Sequence, residues 1–372
     1  MQAKRIVIID KQLLTVPCTE LLKRAHHTIH KETLQMSKSV HVGIIGAGRI
    51  GQVHAEHLAY RIPEAEILAI ADLNLAAAQA LGERLKIPTI TDDYRQILEN
   101  TAIDAVIICS STATHAQLIQ ESAAAQKQIF CEKPIDLTLE KIDEALASVK
   151  TAGVKLQVGF NRRFDPNFHR VQQMVAEGTL GNVHLLRITS RDPEPPPIEY
   201  VKGSGGLFLD MTIHDFDMAR YLAGSEAVEI YAAGAVLVDP RIGEAGDIDT
   251  AVITIKFANG AIGTIDNSRK AVYGYDQRVE VFGSKGAVVV SNNAPHTAVV
   301  SDAEGVHAAK PLYFFMQRYT ESFVIEMRSF ITAVQDETLT PVTGEDGRIA
   351  VVMGLAARKS YQENRPVKLS EI

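Results

Sequence analysis

Between residues 40 and 160, short apolar runs alternate with stretches of helical periodicity. Runs at 40–45, 66–71, 87–90, 105–109, 128–131 and 156–160 are too short for helices and read as strands. Stretches at 52–60, 75–85, around Tyr94, Ile97 and Leu98, at 115–125 and at 139–150 read as the helices between them. The run 105–109 is apolar throughout, as in a strand covered on both faces. Six strands with intervening helices predict a doubly wound parallel α/β sheet.

After residue 160 the pattern changes. A helix is expected at 168–177 and an alternating strand at 183–190. The proline-rich stretch 192–197 must be a loop, and 211–221 a helix. Strand-like runs then dominate, at 228–236, 250–257, 261–267, 278–282 and 287–291. Asn259-Gly260 and Gly283-Ser284-Lys285-Gly286 are hairpin turns between some of them. These elements predict an α+β domain with a mostly antiparallel, open sheet. Phe315, Tyr319, Phe323, Met327, Phe330 and Val334 form one apolar stripe at helical spacing, best used in core packing.

A chain of 372 residues exceeds what one core usually serves. The expected division is an N-terminal extension at 1–36, a nucleotide-binding domain at 37–160, and a substrate-binding and assembly domain at 161–372. The C-terminal helix of the last is placed to pack back on the first domain. The extension carries His26, His27 and His30. It reads as a loosely attached segment or as a start placed too far upstream, and a metal site there would need a rigid frame. The net charge of −7 argues against nucleic acid as the main partner. No apolar run is long enough to span a bilayer, and no signal-peptide layout opens the chain. Cys18, Cys109 and Cys131 are too few and scattered for a disulfide framework or a zinc site. A cytoplasmic protein is expected.

Gly46-Ala47-Gly48-Arg49-Ile50-Gly51 follows a strand and opens a helix, and the next strand ends at Asp72. In that context a GxGxxG turn points to a dinucleotide in a Rossmann domain. Gly46 permits the tight turn, Gly48 removes a Cβ that would block the pyrophosphate, and Gly51 lets helix and strand approach. The helix N-terminus offers free N–H groups to phosphate. Asp72 suits the adenosine ribose hydroxyls. Leu73, Asn74 and Leu75 supply no cation for a 2′-phosphate, so NAD is expected rather than NADP. The bland alternative is that Asp72 caps the next helix, which Asn74 could do equally well.

Lys133, in Glu132-Lys133-Pro134, follows a parallel strand at the edge where such sheets bind ligands. Asp210 and His214 are four residues apart, which on one helix puts a carboxylate beside an imidazole and suits a general base. Asp210 as a plain N-cap, or a metal held by His214, Asp215 and Asp217, are the alternatives; the latter three do not share a helix face. No metal is expected. Gly203-Ser204-Gly205-Gly206 reads as a flexible loop able to close over a small ligand, or as a connector. Tyr273 and Tyr275 could bond substrate hydroxyls or rim a sheet.

These motifs in this order resemble the family of glucose–fructose oxidoreductase, inositol dehydrogenase and their relatives, from about Val40 to the C-terminus. The resemblance rests on the glycine turn, the loop Ser110-Ser111-Thr112-Ala113-Thr114-His115, Glu132-Lys133-Pro134, Gly159-Phe160-Asn161-Arg162-Arg163-Phe164-Asp165, Gly205-Gly206, Asp210 with His214, and Phe282-Gly283-Ser284-Lys285-Gly286. The stretch Asn161 to Pro166, Ser190-Arg191-Asp192-Pro193 and Asp210 to Asp215 are similar to bacterial inositol 2-dehydrogenases. Ala113 stands where many relatives have Pro. The resemblance implies oxidation of a cyclic polyol with NAD, myo-inositol to 2-keto-myo-inositol first among the choices. Another inositol isomer, a pyranose, or an NAD-dependent glycosidase are the alternatives, and a silent sugar sensor would not need the intact set. It implies Lys133, Asp210 and His214 as the catalytic set. It implies Ser110, Ser111, Thr112, His115 and Glu132 at the cofactor, Asn161 and Arg163 at the substrate, and often a homotetramer assembled through the second domain's sheets.

Overall fold

A computed structural model describes residues 39–372. The expected extension at 1–36, with its three histidines, lies outside the described residues. The chain runs β1 (Val40–Ile45), α1 (Arg49–Arg61), β2 (Ala65–Ala71), α2 (Leu75–Leu85), β3 (Thr89–Thr91), α3 (Arg95–Glu99), β4 (Ala105–Ile108), α4 (Thr112–Ala124), β5 (Gln128–Glu132), α5 (Leu139–Ala152) and β6 (Leu156–Gly159). The six strands form one sheet in the order β3-β2-β1-β4-β5-β6, and every pair is parallel. Strand order reverses between β1 and β4, so a crevice opens at their C-terminal ends. Asn74 caps α2 by accepting from the Ala77 N–H, which fixes the start read from sequence.

The second half runs α6 (Pro166–Ala176), β7 (Val183–Arg191), α7 (Ile198–Gly203), α8 (Gly206–Asp210), α9 (Thr212–Ala223), β8 (Ala227–Ala235), α10 (Pro240–Glu244), β9 (Thr250–Phe257), β10 (Ile262–Ser268), β11 (Asp276–Gly283), β12 (Gly286–Val290), β13 (Val299–Asp302), β14 (Gly305–Ala308), α11 (Phe315–Arg318), α12 (Thr320–Gln335), α13 (Gly344–Glu363) and β15 (Val367–Lys368). Seven strands pair in the order β12-β11-β7-β10-β9-β8-β15. Only β7 and β10 are parallel. One face of this sheet packs Ile188, Ile253, Ile265 and Val281 against Phe168, Phe216 and Met353 from the helices. The other face exposes Leu185, Val252, Ile262, Phe282 and Val289.

The C-terminal helices bind the two halves together. Met327, Phe330 and Ile331 of α12 enter the core of the first sheet beside Phe130. Ala350 and Val351 of α13 join Ile135 and Val158.

Three expectations need correction. The apolar stripe at 315–334 is two helices, broken at Tyr319, whose buried ring lies under the guanidinium groups of Arg162 and Arg318. Gly203 to Gly206 is not a flexible loop. It is a tight turn between α7 and α8, with φ of +88° at Gly205 and +81° at Gly206, values that favour glycine. A Cβ on Gly206 would stand 2.7 Å from the Asp247 carboxylate. The helix expected at 211–221 forms as α9, but Asp210 does not share it with His214, because it ends the helix before it. The hairpin β13–β14 and the edge strand β15 carry no strong sequence signal. Cys109 and Cys131 are buried, and burial pushes both thiols well up. Among the described residues no helix is long and apolar enough to cross a membrane.

Candidate active site

The glycine turn joins β1 to α1. Gly46 has φ +109°, and a Cβ there would meet the Cys109 carbonyl at 2.6 Å. A Cβ on Gly51 would clash with the Gly46 carbonyl, so helix and turn pack backbone to backbone. Around Gly48 nothing stands within 4 Å of where a Cβ would be. Gly48 is also the N-cap of α1 and carries no side-chain cap, and no acidic residue lies in the first turn. This open cradle at a helix N-terminus fits a dinucleotide pyrophosphate. Arg49 reaches over the Phe314 ring at 5.9 Å, and Ile50 packs against both cores.

Asp72 sits just past β2. Its Oδ2 accepts from the Ala47 N–H at 2.6 Å and its Oδ1 from the Asn74 N–H at 2.7 Å. Asp72 therefore steadies the glycine turn from the side and leaves the capping of α2 to Asn74. A carboxylate oxygen takes more than one donor, so both oxygens keep capacity for hydroxyls.

Ser111 is the uncapped N-cap of α4 and Thr112 its first residue, at the C-terminal end of β4. The Ser110 hydroxyl bonds that of Thr114 at 2.7 Å. His115 was expected at the cofactor but is buried. Its Nδ1 lies 2.8 Å from the Pro134 carbonyl and its Nε2 3.0 Å from that of Ser110. It ties the β4–α4 turn to the Lys133–Pro134 turn from beneath. Glu132 also departs from expectation. Its carboxylate points into the core, 2.7 Å from His54 Nε2 and packed on Gly159. Buried Glu326 completes a cluster of three potential ligand atoms within 4.8 Å. The His54–Glu132 pair is closer than two ligands of one ion at ordinary bond lengths, about 3 Å or more apart. This is a hydrogen-bonded pair rather than a metal centre.

Lys133 follows β5 and is mostly buried. Its Nζ donates to the Asp210 main-chain oxygen at 3.0 Å and stands 3.9 Å from Asp210 Oδ1. Leu209 and Ile213, flanking the break between α8 and α9, sink into the first domain's core with Phe160 and Ile135. That anchoring turns Asp210 and His214 toward the end of β5. His214 lies edge-on to Phe160, with ring centroids 6.0 Å apart, and its Nδ1 is buried with no hydrogen-bond partner. Burial, then the charges of Lys133 and Arg162, push its pKa well below the usual imidazole value. The expected Asp210–His214 pairing is absent. The two residues stand on different helices, and the Asp210 carboxylate is taken by Tyr200 at 2.9 Å and by Arg269 at 3.3 Å from both terminal nitrogens.

Asn161 is buried directly after β6, where a single 3₁₀ turn begins. Arg163, expected at the substrate, is consumed elsewhere. It makes a bidentate pair with Asp217 and a bond to Asp346 at 2.9 Å. Its neighbour Arg162 pairs with Asp215, which also accepts from Asn267 at 2.9 Å. With both aspartates so paired, the alternative metal set of His214, Asp215 and Asp217 fails. Tyr275 is buried below the site, its hydroxyl 3.4 Å from Arg162. Tyr273 belongs to another cluster, donating to Asp276 at 2.6 Å and accepting from Arg191.

Sequence reasoning missed Tyr200 and Arg269. Neither sits in a chemical motif, and both reach Asp210 only through tertiary folding. Asp192 was legible as part of Ser190-Arg191-Asp192-Pro193 but without a role. Burial pushes its pKa up to about 6, with Arg269 opposing and Asp210 adding to the shift.

Residues 40–160 match the family described as "Oxidoreductase family, NAD-binding Rossmann fold", and residues 168–289 match the GFO/IDH/MocA C-terminal domain. An uncharacterized oxidoreductase of Bacillus subtilis is 53% identical over 334 residues, 90% of this chain and 98% of that protein. The myo-inositol 2-dehydrogenase of Thermotoga maritima is 49% identical over 331 residues, 89% of this chain and 99% of that protein. The solved scyllo-inositol dehydrogenase of Lactobacillus casei, with bound NAD(H) and scyllo-inositol, superposes with a TM-score of 0.84 at 29% identity, over 90% of this chain and 100% of that one.

Proposed function

This chain belongs to the GFO/IDH/MocA oxidoreductase family, and we propose that it oxidises a secondary hydroxyl of a cyclic polyol to the ketone with NAD, taking myo-inositol to 2-keto-myo-inositol. The observation that carries this is the convergence of Lys133, Asp210 and His214 at the end of β5. The names of the Thermotoga and Lactobacillus proteins support the substrate class.

His214 is the proton acceptor. An imidazole whose pKa lies well below its usual value is neutral at pH 7. With Nδ1 buried, Nε2 is the nitrogen left to take the hydroxyl proton. Lys133 spends one N–H on the Asp210 carbonyl. Its remaining N–H groups hydrogen-bond the reacting oxygen and offset the negative charge that develops there. Asp210 fixes Lys133 rather than His214. The turn Gly46 to Gly51, Asp72, and the Ser110, Ser111 and Thr112 edge hold NAD, which when bound supplies the hydride acceptor. Orientation by both domains removes much of the entropic barrier.

Residues 37–160 form the NAD domain in this reading, and 161–372 the substrate and assembly domain. The apolar outer face of the seven-stranded sheet, with Leu185, Val252, Ile262 and Phe282 exposed, supports a homotetramer. The compartment is the cytoplasm. A panel of cyclitols and sugars, with NAD and with NADP, tests the function by absorbance of the reduced cofactor. NADH formation should be fastest with an inositol. A faster rate with an open-chain polyol, or none with any cyclitol, would refute it.

A further inference from the structure

Arg269 is among the largest fully buried side chains, at 1% exposure, and it sits behind the Asp210 carboxylate. Both terminal nitrogens lie 3.3 Å from Asp210 Oδ2, while Tyr200 donates to Oδ1 at 2.9 Å. The Lys133 ammonium faces the same carboxylate yet remains 3.9 Å from Oδ1, bonded instead to the main-chain oxygen. Two cations thus share one carboxylate, and the one behind holds it. A lysine this deep beside an unshared carboxylate would close to a direct charge-assisted bond, about 2.7–2.9 Å. That bond would tie up the N–H groups that the reacting oxygen needs.

Arg269 is itself fixed. Its backbone N–H donates to the Asp249 carbonyl at 2.9 Å just past β10, and Asp247 lies 3.9 Å from its guanidinium. Both Asp247 oxygens also accept from the Leu207 N–H at 3.0 Å, in the first turn of α8. Gly206 admits that approach, since a Cβ would displace Asp247. Helix α8 is therefore pinned at its start by Asp247 and at its end, Asp210, by Arg269.

We infer that Arg269 is a positioning residue for Lys133: by holding the Asp210 carboxylate from behind, it keeps the Lys133 ammonium free to bond the reacting oxygen. This rests on the placement of the polyol at Lys133 proposed above. The test compares wild type, Arg269→Met, Arg269→Lys and Tyr200→Phe. Two readouts are used: steady-state kinetics with myo-inositol and NAD, and the rate at which acetic anhydride acetylates Lys133 in NAD-free protein, followed by peptide mass spectrometry. Arg269→Met should lower kcat about a hundredfold with KM for NAD nearly unchanged, the size of a misplaced reacting group. It should slow Lys133 acetylation several-fold, as the ammonium closes on Asp210. Arg269→Lys should restore most of both. Tyr200→Phe frees Oδ1, the oxygen nearest Lys133, and should slow acetylation too; it stands in if Arg269→Met does not fold. Unchanged acetylation in Arg269→Met and Tyr200→Phe would overturn the inference, whatever happened to kcat. A wild type that makes no NADH from any cyclic polyol would defeat the functional reading alone, because acetylation needs no substrate.

Discussion

The Lys133 ammonium bonds the main-chain oxygen of Asp210 at 3.0 Å, not its carboxylate, which stands 3.9 Å away. The two residues are 77 positions apart, one just past a strand of the first sheet and the other ending a short helix of the second half. Their contact joins the end of β5 to α8, the helix just before the one that carries His214. The proposed catalytic set is therefore assembled by the packing of two halves rather than by spacing along one helix.

Gly48 and Gly51 should respond differently to a methyl group. Gly48→Ala meets open space at an ordinary φ of −67°, so the melting temperature should hold while NAD binding weakens at least about tenfold. Gly51→Ala drives a Cβ into the Gly46 carbonyl and should destabilise the fold by about 1–3 kcal/mol. Calorimetric NAD titration beside thermal melts separates the two. Equal effects on both readouts would refute the assignment of the cradle.

Replacing Asp72 by Ser and Leu73 by Arg should move preference from NAD toward NADP, by removing one charge and adding its opposite. Asp72 also accepts from the Ala47 N–H, so overall affinity should fall as the turn loosens. Losing a hydrogen bond to a charged acceptor costs about 1.5–3 kcal/mol. The ratio of kcat/KM values for the two cofactors measures the change, and an unaltered ratio would contradict the role given to Asp72.

The first domain was legible because each strand is a short apolar run closed by a turn residue. The α2 boundaries were read correctly as Leu75 to Leu85, where Asn74 caps the start, and β9 as Thr250 to Phe257. What failed was inference from spacing to contact. Residues 210 and 214 have helical spacing, yet the helix breaks at Met211 so that Leu209 and Ile213 can both bury. The stripe through Tyr319 kept its period across a break that only the packing of Arg162 and Arg318 explains. Paired arginines in sequence gave no sign of which faces the site, because their aspartate partners lie more than fifty residues on.

Arg163→Ala should damage stability rather than substrate binding. It leaves Asp217, fully buried, without its ion-pair partner, while Asp346 keeps Arg220. Breaking one side of a buried pair costs about 3–5 kcal/mol. Denaturant unfolding should show that loss, while KM for the polyol in the folded fraction stays near wild type. A large rise in KM with unchanged stability would return Arg163 to the substrate site.

The pH profile should lack an ordinary histidine limb. A general base works deprotonated, so the rate climbs with pH through its pKa and levels above it. Burial and the nearby Lys133 and Arg162 charges hold His214 well below 6.5. The histidine limb of kcat/KM for polyol oxidation should therefore lie on the acid side of the usual imidazole range. A limb centred near 6.5 that disappears in His214→Ala would show the imidazole to be solvated as in water.

The most direct test of the account is kcat of His214→Ala with myo-inositol and NAD, taken with the NAD dissociation constant of the same sample. The imidazole belongs to the second domain, and the dinucleotide cradle to the first. Turnover should fall by about two to four powers of ten, the worth of a positioned acid–base group, with NAD affinity unchanged. Near-full turnover in that variant would show that another group takes the hydroxyl proton.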